Sequence, residues 1–156
     1  MVCLLLCLAV QKLLHFDSYG ELYRADAALV GCFDSRFDAV TVKLLKRLGI
    51  VTRDWIRIAG SARNLLSSDS TRDFLFDQLR ASIRLHQTPR LLLLNHADCG
   101  AYGGHAAFRD AEEEAQRHWS DMQSAADVVR RHIPDLRVEC YYLAFDGVWG
   151  APDDSR

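Results

Sequence analysis

The chain alternates between short unbroken apolar runs and longer stretches in which apolar residues recur every three or four positions. Ala27-Ala28-Leu29-Val30-Gly31-Cys32 and Arg90-Leu91-Leu92-Leu93-Leu94-Asn95 are runs of the first kind. Such runs suit strands covered on both faces of a parallel sheet. Pro89 marks the entry to the second run. Trp55-Ile56-Arg57-Ile58 and the stretch from Arg137 to Ala144 read as two further strands. Between them the spacing turns helical. Val40, Leu44, Leu45 and Leu48 mark a helix from Phe37 to Leu48 that stops at Gly49. Phe74, Leu75, Leu79 and Ile83 mark a second, opened by Ser70-Thr71-Arg72-Asp73 and ending near His86, where an imidazolium suits the helix end. The longest runs from about Ala106 to His132. Its Asp110, Glu112, Glu113 and Glu114 come early and its Arg130 and Arg131 late, which suits the helix dipole. Glu112 to Glu114 reads as a solvated face.

Strands alternating with helices predict a single α/β domain with a mostly parallel central sheet of about four strands flanked by helices. The expected domain covers residues 25–150, with a tail at 151–156 and a helical arm at 1–24. The arm opens with the apolar Val2 to Val10 and continues through Gln11-Lys12-Leu13-Leu14. It lacks a basic leading region and a small-residue cleavage site, so it reads as an arm and not an export signal. It is too short to span a bilayer, which takes about 20 residues. Its apolar surface is large enough to call for cover by a partner subunit.

Composition adds two constraints. A net charge of −2 with scattered arginines gives no nucleic-acid footprint. Cys3, Cys7, Cys32, Cys99 and Cys140 are an odd set without secreted-type spacing, which points to a reducing, cytoplasmic setting.

Two stretches carry candidate chemistry. Cys32-Phe33-Asp34-Ser35-Arg36 closes the first apolar run, and His96-Ala97-Asp98-Cys99-Gly100 follows the third strand. Ligands of open α/β sheets gather beyond the carboxyl ends of the strands, so Cys32, His96 and Cys99 can be aimed at one point. Two thiolates and one imidazole make a three-ligand zinc set with a position left open. Alone, Cys32 reads as a small buried hydrophobe and His96-x-x-Cys99 as a turn; the combination favours a metal. Two thiolates nearly neutralise the dication, so bound water needs a nearby base. Asp34 is placed for that role, and Arg36 can grip its carboxylate in a bidentate fork. The plainer alternative is a local Asp34–Arg36 salt bridge. Asp98 reads as ordering the His96 turn. His105 reads as a helix-start or pocket residue before a ligand. Tyr102, Gly103 and Gly104 either offer amides to an anion or only let the chain turn. Trp119 and Trp149 read as packing residues.

Cys-x-Asp-Ser-Arg followed by His-x-x-Cys-Gly resembles the β-class carbonic anhydrases, and the Asn-His-Ala-Asp-Cys-Gly-Ala-Tyr-Gly-Gly stretch resembles a minimal subgroup of them. Arg57-Ile58-Ala59-Gly60-Ser61 is similar to that family's Asn-Ala-Gly-Asn loop, with Ser61 in place of an Asn. The resemblance implies Zn2+ held by Cys32, His96 and Cys99. It implies Asp34 as the proton-handling residue, or a fourth ligand in a resting form, and Arg36 as its orienter. It implies reversible hydration of CO2 to bicarbonate, a pocket touching Gly60, Ser61, Gly100, Tyr102 and Gly103, and a homodimer or higher homo-oligomer with wrapped arms. Phe37, Asn95 and Ser61 depart from the family's commoner residues. Two alternatives stay open: a zinc hydrolase of CS2 or COS on the same site, and a non-catalytic zinc-bearing scaffold that binds partners.

Overall fold

Every residue of β1 (Ala27–Gly31) is buried, as is all but the first of β3 (Arg90–His96), and the two strands lie side by side in parallel. Side chains alternate across a strand, so each run feeds two cores. Ala28, Val30, Leu91 and Leu93 face one side, and Ala27, Leu29, Leu92 and Leu94 the other. The computed structural model describes residues 11–18 and 20–150.

The chain continues from β1 through α1 (Asp38–Arg47) to β2 (Arg53–Arg57), then through α2 (Ser70–His86) to β3. It then runs through α3 (Ala111–His132) to β4 (Arg137–Leu143) and ends in β5 (Val148–Gly150). The sheet order is β2-β1-β3-β4-β5, parallel except for the β4–β5 pair. The first crossover therefore moves outward from β1, and the second returns over β1 to its opposite side. Right-handed crossovers in opposite directions place their helices on opposite faces. Accordingly, Leu44 and Leu45 of α1 join one core, while Leu75, Phe76 and Leu79 of α2 join Met122, Ala125 and Val129 of α3 in the other.

The expected α/β class holds, with differences in detail. The sheet has a fifth strand, β5, too short to give a periodic signal, and Trp149 lies on it opposite Tyr142. β2 begins at Arg53 and ends at Arg57. α3 starts at Ala111, because residues 100–107 spend themselves in two 3-10 turns and the Asp110 carboxylate then caps the Glu113 N–H at 2.8 Å. Of the expected arm helix, residues 2–10 lie outside the described residues, and Gln11 to Leu14 carry no helix. The expected tail at 151–156 also lies outside them. No helix among the described residues is long and apolar enough to cross a membrane.

The outer strand β2 is tied to α2 by a carboxylate. Asp54 accepts hydrogen bonds from the Tyr23 hydroxyl (2.5 Å) and the Ser82 hydroxyl (2.6 Å), and His86 Nδ1 lies 2.8 Å away. Burial pushes the Asp54 carboxyl up, but the bonds from Ser82, Tyr23 and His86 outweigh it and leave the net shift downward.

Two outcomes follow from this packing. Leu93→Ala empties a fully buried site between both helices of one face and should cost about 2–5 kcal/mol in urea unfolding. The lowered Asp54 value means that its contribution is present at neutral pH, above the unfolded value of about 3.9, and fades as pH falls through the lower folded value. In Asp54→Asn the stability-versus-pH curve should be flatter across that acid range; curves of equal slope would remove Asp54 from the acid sensitivity.

Candidate metal centre

The reversal of chain direction decides where chemistry can gather. β1 and β3 are neighbours whose following segments leave in different directions, and this opens a crevice at their carboxyl ends. Cys32 is the residue after β1, and His96 is the last residue of β3. Cys99 follows in a turn bent by Asp98, a non-glycine residue at φ +55°. The two thiols and the imidazole each offer a donor atom, and all three donors lie within 4.8 Å of one another.

These donors suit a soft dication. His96 is buried, and its Nδ1 stands 2.8 Å from the Ala97 carbonyl, the geometry of an N–H donating there. That tautomer leaves Nε2 with a free lone pair, and Nε2 is buried without any hydrogen-bond partner. An orphaned buried acceptor is costly unless it finds a partner, and a metal ion could be one. Burial also holds the His96 imidazole below its usual range, in its neutral ligating form. Burial pushes the Cys99 thiol up, and the nearby Cys32 sulfur adds to this, against the pull of the Ala101 and Gly60 N–H groups. Two sulfurs packed this closely cannot both ionise cheaply; a cation removes that penalty.

Asp34 and Arg36 sit beside this cluster. Asp34 caps the 3-10 turn Ser35–Phe37, and its Oδ1 accepts the Arg36 backbone N–H at 3.0 Å. Arg36 Nε lies 3.0 Å from both carboxylate oxygens, and Nη2 reaches Oδ2 at 2.6 Å. The guanidinium bonds hold the Asp34 carboxyl down at about 2. The other edge of the fork grips the His96–Cys99 turn: Nη1 donates to Asp98 Oδ2 at 2.9 Å and Nη2 to the Asp98 carbonyl at 3.1 Å. Arg36 thus joins the segment after β1 to the turn after β3.

Cys32, Asp34 and His96 line a small cavity together with Phe37, Thr41, Trp55, Leu94 and Leu143. Its volume of about 10 Å3 admits about one water. The Phe37 ring stands 4.5 Å from the His96 ring and walls one side. Trp55 Nε1 is a second buried polar atom in the lining without a partner. Gly60, Ser61, Gly100, Tyr102 and Gly103 do not line this cavity. Gly60 at φ +80° offers its N–H to the Cys99 sulfur. Ser61 is buried and donates from Oγ to the Val30 carbonyl at 2.9 Å. Tyr102 accepts from Asn95 Nδ2 at 3.2 Å and packs on His118. Gly100 and Gly103 shape the turn after Cys99.

Sequence reasoning missed two residues here. Asp98 was read as ordering its own turn, and it also carries the second edge of Arg36. Glu114 was read as part of a solvated face, yet it is 1% exposed, because the first turn of α3 leans back onto the His96–Cys99 loop. His105 stands outside the three-donor cluster, with Nδ1 2.5 Å from Glu114 Oε2. No local pattern announces such contacts, because their partners come from separate elements.

A family model described as "Putative carbonic anhydrase" matches residues 24–149. A protein of Rickettsia conorii, described as uncharacterized, is 28% identical over 140 residues, covering 86% of this chain and 74% of its own. A similarly described protein of Rickettsia bellii is 27% identical over 140 residues, with 86% and 84% covered. In fold, the chain is similar to a carbonic anhydrase of Streptococcus mutans, with a TM-score of 0.60 at 18% identity over 88% of this chain and 89% of the other. It is similar also to a tetrameric β-carbonic anhydrase of Sordaria macrospora, with a TM-score of 0.62 at 14% identity over 84% and 82%. With the match running from before β1 into β5, the chain belongs to this carbonic anhydrase family.

Proposed function

We propose that the protein holds one zinc ion through Cys32, His96 and Cys99 and catalyses the reversible hydration of CO2 to bicarbonate. The observation that carries this reading is the orphaned His96 Nε2 among two sulfurs, opening on a cavity that it shares with a clamped Asp34 carboxylate. Bound there, zinc supplies a Lewis acid able to make water nucleophilic near neutral pH.

The chain's own residues supply the rest. Asp34 stays ionised throughout the neutral range, so it accepts a hydrogen bond from water in the cavity and holds a departing proton only briefly. Arg36 engages both Asp34 oxygens and so fixes the direction of the carboxylate. The Trp55 N–H is free to donate to an oxygen of the product anion. Phe37, Leu94 and Leu143 give the cavity apolar walls and keep it small, which strengthens electrostatic effects inside it. Thiolate ligands suit a reducing, cytoplasmic setting.

The same reading includes a homo-oligomer. Leu13, Leu14, Phe16 and Leu22 are each more than three-quarters exposed, an apolar surface that a second copy would cover. The Sordaria macrospora relative in fold is tetrameric.

Elemental analysis of freshly purified protein should find one zinc per chain, and Cys32→Ser should lose most of it. In stopped-flow assays Asp34→Ala should keep zinc while CO2 hydration falls roughly a hundredfold or more. A variant as fast as the parent would remove Asp34 from the mechanism, and a zinc-loaded parent without hydration would leave the scaffold reading. Light scattering should find a dimer or larger assembly at micromolar concentration, and a monomer would refute the covered-arm argument.

A further inference from the structure

Glu114 is a fully buried carboxylate one turn inside α3, far along the chain from any proposed ligand. A charge in that position is unfavourable unless it is closely paired. Both of its oxygens are engaged. Oε1 accepts the Asp98 backbone N–H at 2.6 Å, and Oε2 lies 2.5 Å from His105 Nδ1. His118 Nε2 is 3.8 Å from Oε1, but burial pushes that imidazole down to about 4, so it brings no positive charge at neutral pH. The short bond to the Asp98 N–H is therefore a principal anchor for the carboxylate.

Asp98 is the residue that this anchor holds. It lies between His96 and Cys99 and adopts the left-handed conformation at φ +55°, which a non-glycine side chain resists. Its side chain then reaches two ways. Oδ1 accepts the His105 N–H at 2.9 Å, and Oδ2 receives Arg36 Nη1, whose other edge grips Asp34. A single buried oxygen thus bears on the spacing of two donor residues and, through Arg36, on the direction of Asp34.

We propose that Glu114 is a positioning residue of the metal centre: it holds the Asp98 turn so that His96 and Cys99 present their donors together, with His105 as the outer clasp on its carboxylate. This rests on the metal-centre reading above. Outer partners of this kind typically change metal affinity by roughly 10–100-fold when removed. Glu114→Gln keeps the shape and one acceptor for the Asp98 N–H, but presents an amide N–H to His105 Nδ1 and loses the charge.

The test uses the whole chain, stripped of metal and reloaded with Zn2+ or Co2+. Zinc affinity is read by competition with a chromophoric chelator, cobalt by its thiolate charge-transfer and ligand-field bands, and apoprotein stability by thermal melting. Glu114→Gln should weaken zinc binding roughly tenfold or more and alter the cobalt bands while the apoprotein melts close to the parent. His105→Gln, at a half-exposed position, should show the same loss to a smaller degree, and it decides the matter if Glu114→Gln does not fold. Parent-like zinc affinity and cobalt bands in the folded variants would overturn the proposal, even if their melting temperatures fall, because Glu114 would then only stabilise the fold. A parent chain that takes up neither metal would instead fail the metal-centre reading, and this inference with it.

Discussion

The pairing of β1 with β3 is the constraint on which the rest depends. These strands are not consecutive; β2 and two helices intervene. Their pairing follows from burial, since both runs are apolar on both faces and reach low energy only at the centre of a sheet with helices on each side. Once paired, they set Gly31 beside Leu94 and bring Cys32 within reach of His96. The site is thus a by-product of where the most hydrophobic strands must go.

Electrostatics then completes the centre. Two sulfurs, an imidazole and three carboxylates (Asp34, Asp98 and Glu114) gather in or beside one crevice, an excess of acceptors over donors. Arg36 offsets two of the carboxylates at once, with one edge on Asp34 and one on Asp98. The fork works because guanidinium is planar and carries donors on two edges; lysine could not span both partners. Glu114 is served separately, by the Asp98 amide and His105. A dication at the sulfurs is the remaining charge that would balance the set.

Much of this was legible in the residue pattern, and the reasons are local. The donor triplet stood out because thiols and imidazole at strand ends combine rare residue types with a favoured position. The Asp34–Arg36 fork was legible because the two residues are two apart on one turn. Gly60, Ser61 and Tyr102, read as pocket residues, do not line the cavity beside His96; the Gly60 amide bonds the Cys99 sulfur and Tyr102 packs on His118. Glu114 was misread because three acids in succession at a helix start usually face water, and the turn that covers the third comes from residues fourteen or more positions earlier in the chain. β5 was missed because three residues carry no period; it exists because β4 offers it an edge.

Hydrophobic periodicity and residue chemistry by themselves determined the α/β class, the order of elements from β1 to β4, and the identity of the donor set, since each depends on neighbours within a turn or a strand. Tertiary structure alone decided which strand lies beside which, that Arg36 bridges two segments, that Glu114 is buried, and that a small cavity opens beside His96. Those properties arise from contacts between residues far apart in the chain, and such contacts leave no local pattern to read.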